Sequence, residues 1–127
     1  MTTLGYLLPT RESVMAASPG TARLLGLAER AEGLGYDAVW VGDSLFSRSR
    51  HEPLTLLAGV AARTTRVRLG TAVLLPALRN PVVLAQIVAT LDRLAEGRLV
   101  LADAQHRRSP CTRPKGSAGG RTVAQSL

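Results

Sequence analysis

The residues best suited to chemistry stand where apolar runs give way to polar turns. Asp43 follows the run Asp37 to Val41 in the order Gly42-Asp43-Ser44, so a carboxylate and a hydroxyl close what reads as a strand. In a parallel βα fold, ligands are met at the C-terminal ends of the strands, which makes Asp43 a candidate for contact with a reacting group. The same residue type also ends strands simply by forming turns. His51 lies in the same loop, where an imidazole would suit acid or base work near neutral pH; the blander expectation is a solvated loop histidine. Gly70-Thr71-Ala72-Val73 places small side chains toward the end of a third strand, leaving room for a flat ring against the backbone or for tight packing inside a sheet or barrel. Asp92 and Arg98 flank a helix stop at Gly97 and read as an ion pair or a helix-end interaction rather than as catalytic groups.

Other features exclude whole classes of function. Gly33-Leu34-Gly35-Tyr36-Asp37-Ala38 fits a loose dinucleotide fingerprint, yet it follows a helix and precedes a strand, the reverse of the order that aims a helix N-terminus at a pyrophosphate. The single cysteine, Cys111, has no partner for an internal disulfide and no ligand-spaced neighbours for a metal site, so no metal is expected. Gly116 to Arg121 lacks the spacing of a phosphate loop. No apolar run reaches the ~18 residues of a membrane span, and the first residues lack a basic leader, so a cytoplasmic protein is expected.

The elements that must position these residues follow from periodicity. Leu4 to Pro9 reads as a buried strand. Thr21 is placed to cap a helix with Leu24, Leu25, Ala28, Ala31 and Leu34 on one face and glycines 33 and 35 as stops. Asp37 to Val41 restarts a strand, and Pro53 opens a helix buried through Leu56, Leu57, Val60 and Ala61. Val67 to Leu75 is a nearly continuous apolar strand, of the kind covered on both faces. Asn80-Pro81 starts a helix whose apolar face is Leu84, Ile87, Val88, Leu91 and Leu94, and a fourth strand begins at Arg98 to Leu101. The order is β-α-β-α-β-α-β, which two common α/β architectures use: the (β/α)8 or TIM barrel and the doubly wound sheet.

Composition fits a packed α/β core of aliphatic side chains, with 46% hydrophobic residues and only 3% aromatic. The 127 residues amount to about half of the ~250 that a full (β/α)8 barrel needs. The net charge of +7 is unevenly spread: residues 1–101 hold 11 arginines against eight acids, whereas residues 102–127 hold five basic residues against one acid. This segment scatters Pro, Gly, Ser and Arg without periodicity and reads as a disordered basic tail. Its composition suits out-of-frame reading of a GC-rich gene, so a frameshift or truncation near Leu101 is expected. The tail lacks the interleaved aromatics of a nucleic-acid module, which argues against specific nucleic-acid binding.

Three segments carry a resemblance. GYDAVWVGDS, VRLGTAVLLPALRNPVVLAQ and ATLDRLAEGRLVL, in this order, resemble consecutive parts of luciferase-like monooxygenases, especially those using the deazaflavin coenzyme F-420; the resemblance runs from Leu4 to Leu101. It implies the N-terminal β-α-β-α-β-α-β portion of a TIM barrel over residues 1–101. In the parent enzyme, the pocket would hold F-420 or a flavin such as FMN for hydride transfer or oxygenation of a small-molecule substrate. It further implies that Thr71, Ala72 and Val73 contact the coenzyme ring, with a non-proline cis peptide at Ala72-Val73, and that Asp43 stands beside the reacting centre as a catalytic and cofactor-binding group. Relatives with a histidine at the end of the second strand use it as a base, and here Asp43 takes that place. The fourth strand continues as Ala102-Asp103-Ala104 instead of the family's glycine-rich segment. A chain with half a barrel is expected to be inactive alone. Two alternative readings are a half-barrel module that self-associates into a homo-oligomer, and a nucleic-acid binder acting through the basic tail.

Overall fold

Each apolar run in the first hundred residues forms a parallel strand, and each amphipathic stretch forms the helix that returns the chain to the start of the next. A computed structural model describes residues 2–11, 20–44 and 50–103. It shows β1 (Gly5–Leu7), α1 (Thr21–Gly33), β2 (Ala38–Val41), α2 (Pro53–Ala61), β3 (Arg68–Leu74), α3 (Pro81–Leu94) and β4 (Leu99–Asp103), with a 3₁₀ turn at Pro76–Leu78. The four strands pair in chain order, β1-β2-β3-β4, all parallel. β4 runs two residues past Leu101. The remainder of the tail, with Cys111, the glycine-rich stretch from Gly116 to Arg121 and the expected disorder, lies outside the described residues. Among the described residues no helix is long and apolar enough to cross a membrane, and no cluster of potential metal ligands occurs.

The helices cover one face of the sheet. Val39 and Val41 of β2 and Leu69 of β3 point into that layer, where they are fully buried with Leu24, Ala28, Leu57 and Val60. The expected α2 stripe is buried in full. Two stripes are only partly so. Leu34 is the C-cap of α1 and is 68% exposed, because the helix has already ended and Gly35 turns the chain at φ +86°. In α3, Leu91 is buried while Ile87 and Leu94 are exposed; the helix packs along α2, and nothing among the described residues covers its other flank.

The helix starts separate correct from incorrect readings of capping. Asn80 caps α3 by accepting from the Val82 and Val83 N–H groups, with Pro81 in the first turn where its missing N–H costs nothing. Thr21 is not a cap. Gly20 holds that position without a side chain, and the Thr21 hydroxyl instead lies 2.9 Å from His51 Nε2. On α2 the cap is Glu52, whose carboxylate accepts from Thr55 N–H at 2.7 Å.

The opposite face of the sheet is shaped by one ring. Trp40 shares a register row with Gly70 and lies across β1 and β3, over Gly5 and Gly70. A methyl group on either glycine would run into the indole, so both positions need a residue without a β-carbon.

Polar clamps close the N-terminal end of the sheet. The Glu32 carboxylate accepts from the N–H groups of Thr65, Arg66 and Val67, tying α1 to the turn before β3. Arg98 does not pair with Asp92; its guanidinium donates to the carbonyls of Thr64 and Val67 and to the Thr64 hydroxyl, holding the start of β4 to the same turn. Partial burial pushes the Glu32 carboxyl upward, but the three backbone donors and the Arg66 charge outweigh it, leaving the pKa below its ordinary 4.5. A lowered carboxylate stabilises the fold above the unfolded value and ceases to do so as pH falls through the folded one. Glu32→Ala is expected to cost about 1–2 kcal/mol at neutral pH. In urea titrations that deficit should shrink as the pH is taken below 4.5; a deficit constant into acid would contradict the assignment.

Candidate active site at the strand ends

The C-terminal end of β3 is irregular, and the irregularity has an identifiable support. Thr71 pairs with Leu101 and Leu74 with Asp103, so Ala72 and Val73 on β3 oppose the single residue Ala102 on β4. This is a β-bulge, and the Ala72-Val73 peptide within it is cis. A bulge leaves its partner strand without a backbone mate. The Thr71 hydroxyl supplies one, donating to the Ala102 carbonyl at 3.0 Å and accepting from the Ala102 N–H at 3.1 Å. Thr71 itself is fully buried, whereas Ala72 and Val73 are exposed at the strand end.

Asp43 anchors the chain just after the bulge. Its carboxylate Oδ2 accepts from Leu75 N–H at 2.9 Å and from Arg79 Nη1, and its side chain is 2% exposed. Arg79 also donates to the Leu75 carbonyl and to Glu52 Oε1. One guanidinium thus joins the end of β2, the end of β3 and the start of α2. The hydrogen bond that Arg79 donates to Asp43, with the charges of Asp43 and Glu52, holds the Arg79 pKa above its ordinary value against the opposing effect of burial.

Asp43, Thr71, Ala72 and Val73 therefore meet at one end of the sheet. Ala72 and Val73 present surface there; the Asp43 carboxylate and Thr71 hydroxyl are engaged in holding that surface in place. His51 is drawn toward α1 and is not a solvated loop side chain: Nε2 meets Thr21 and Nδ1 is buried. Its surroundings form a mostly apolar cleft with Leu25, Thr55 and Gly59, between α1 and α2. Arg98 and Asp92 lie away from the site. The sequence reading did not include Arg79 or Glu52, which lie 36 residues from Asp43 and 27 from Arg79 respectively. The only local sign was an arginine immediately before the Asn80-Pro81 helix start. Arg50 also escaped notice: a β-carbon placed on Gly42 would lie 2.8 Å from Arg50 Nη1 and 3.4 Å from the Ala72 carbonyl oxygen.

A parallel sheet in chain order, with helices on one face and a loop-built site at the strand C-termini, is the N-terminal portion of a (β/α)8 barrel. Residues 2–102 match the family described as luciferase-like monooxygenase, and the chain belongs to that family. It is 45% identical over 105 residues to an F420-dependent glucose-6-phosphate dehydrogenase of Kineococcus radiotolerans, a match covering 77% of this chain and 29% of that protein. Among solved structures it resembles a monooxygenase from Streptomyces bottropensis, with TM-score 0.65 and 31% identity over 80% of this chain and 32% of the other. It also resembles an F420-dependent secondary alcohol dehydrogenase, solved in complex with an F420-acetone adduct, with TM-score 0.64 and 27% identity over 80% of this chain and 31% of the other. The chain thus spans about a third or less of the length of these relatives.

Proposed function

We propose that this chain provides one wall of the coenzyme pocket of an oxidoreductase that transfers hydride between coenzyme F-420 and a small organic substrate. The observation that carries this reading is the bulge at Ala72 and Val73, exposed at the strand ends and braced on both sides by Thr71 and Asp43. The fit to a flat ring is favourable, since Ala72 and Val73 are small and no charged side chain projects from the bulge itself. The bound coenzyme would supply the hydride chemistry. The chain's own part is positional: Ala72 and Val73 form the floor, Thr71 ties that floor to β4, and Asp43 fixes its far end through Leu75 and Arg79. Relatives named for F420-dependent dehydrogenation favour the deazaflavin over FMN.

Trp40 is the sole tryptophan and lies on the sheet two residues before Gly42, so its emission can report binding. Titration of the chain with F-420 is expected to give saturable quenching, with weaker quenching by FMN. Val73→Arg should abolish it by placing a charged side chain on the floor. Failure of both coenzymes to bind up to high micromolar concentration would refute the reading.

A further inference from the structure

We propose that Arg50 is an anion-recognition residue at the strand ends, whose guanidinium receives a carboxylate or phosphate group of the ligand bound over Ala72 and Val73. That placement rests on the function proposed above, whereas anion binding by Arg50 can be tested without it.

The case starts from unmet pairing. Arg50 is partly buried, its Nε is buried without a hydrogen-bond partner, and none of its nitrogens meets an acceptor among the described residues. Arg98 also has an unpaired Nε, but its other nitrogens are satisfied by carbonyls. The two nearest carboxylates in sequence are committed elsewhere: Asp43 to Arg79 and Leu75 N–H, and Glu52 to Arg79 and Thr55 N–H. Residues 45–49, Leu-Phe-Ser-Arg-Ser, contain no acid. A guanidinium partly removed from water without a counter-charge is costly, and its planar fork matches a carboxylate or phosphate in two parallel hydrogen bonds.

Position adds the second argument. Arg50 Nη1 and the Ala72 carbonyl oxygen both lie close to where a β-carbon on Gly42 would stand, so the guanidinium is beside the bulge. Gly42 is what makes room for it. A methyl group there would meet Nη1 at 2.8 Å, and since Nη1 is the end of a flexible side chain, Gly42→Ala should displace the guanidinium without removing its charge.

The test uses the full chain and inorganic phosphate, by isothermal titration, for wild type, Arg50→Met, Arg50→Lys and Gly42→Ala, with thermal melts to confirm that each variant folds. Wild type is expected to bind phosphate saturably. Arg50→Met should weaken binding roughly tenfold or more, the loss expected for charge-assisted hydrogen bonds, and Arg50→Lys by less. Gly42→Ala should weaken it several-fold while the charge remains. Repeating the titration with FMN or riboflavin present identifies the anion's source. Phosphate that competes with FMN, with riboflavin binding indifferent to Arg50→Met, assigns the site to the coenzyme phosphate; phosphate binding alongside FMN assigns it to the substrate. Absence of saturable phosphate binding in wild type, or phosphate affinity in Arg50→Met within twofold of wild type, overturns the proposal. Arg50-dependent phosphate binding in a chain that takes up neither coenzyme would preserve the anion site and remove the coenzyme reading. Coenzyme binding with phosphate affinity indifferent to Arg50 would do the reverse.

Discussion

Arg79→Met is expected to lower the unfolding free energy by about 3–5 kcal/mol, the usual loss when one partner of a buried ion pair is removed. The side chains of Arg79 and Asp43 are 14% and 2% exposed, so the substitution strands a desolvated carboxylate with only the Leu75 N–H for company. Glu52 loses less, since its carboxylate is 42% exposed and keeps its bond to Thr55. Urea denaturation followed by far-ultraviolet circular dichroism measures the effect. Pairing Arg79→Met with Asp43→Leu should recover a large part of the loss, because two apolar groups need no compensation. A single-variant loss below about 1 kcal/mol would instead place the pair among solvated surface bridges. Acid should not be needed to reveal the Arg79 contribution. A cation whose folded pKa is raised stabilises fully below its unfolded value, so the contribution is flat across the neutral range and lost only in strong alkali.

Thr71→Val should cost about 2–3 kcal/mol although it keeps nearly the same shape, since it leaves the Ala102 N–H and carbonyl without the hydroxyl that serves both. Thr71→Ser keeps the hydroxyl and should lose far less. Hydrogen exchange separates this loss from general destabilisation: the Ala102 amide should become fast-exchanging in Thr71→Val while the Val41 and Leu69 amides of the inner strands stay protected. Equal loosening of all three would show that Thr71 acts only as core filling. If the proposed coenzyme pocket is right, the same variant should also weaken F-420 binding, because Ala72 and Val73 lose their tie to β4.

The elements were readable because each depends on neighbours in sequence. The α2 stripe repeats at helical spacing, and Asn80-Pro81 carries its capping mechanism within four residues. Where reading failed, the deciding partner was distant or absent. Thr21 has the right chemistry for a cap, but Gly20 occupies the position and His51, 30 residues on, takes the hydroxyl. Arg98 and Asp92 read as an ion pair or a helix-end interaction; their backbones do close the end of α3, but the carbonyls that the Arg98 guanidinium holds are more than 30 residues upstream. Ile87 and Leu94 keep the spacing of a buried face, but periodicity cannot say whether a neighbour exists to bury it. At the site, Asp43 and Gly70 to Val73 stood out locally, and the cis peptide at Ala72-Val73 was legible only through resemblance to a family. The Arg79 junction was not legible, because an arginine before a helix cap gives no sign of which carboxylates the fold will bring to it.

Because the strands pair in chain order, every strand after β1 has its mate already made when it is synthesised, and no gap must be held open for a later arrival. Growth by accretion at a single edge suits a ribosome that delivers the chain from its N-terminus, and contacts between successive units keep the sequence distance to be closed near thirty residues.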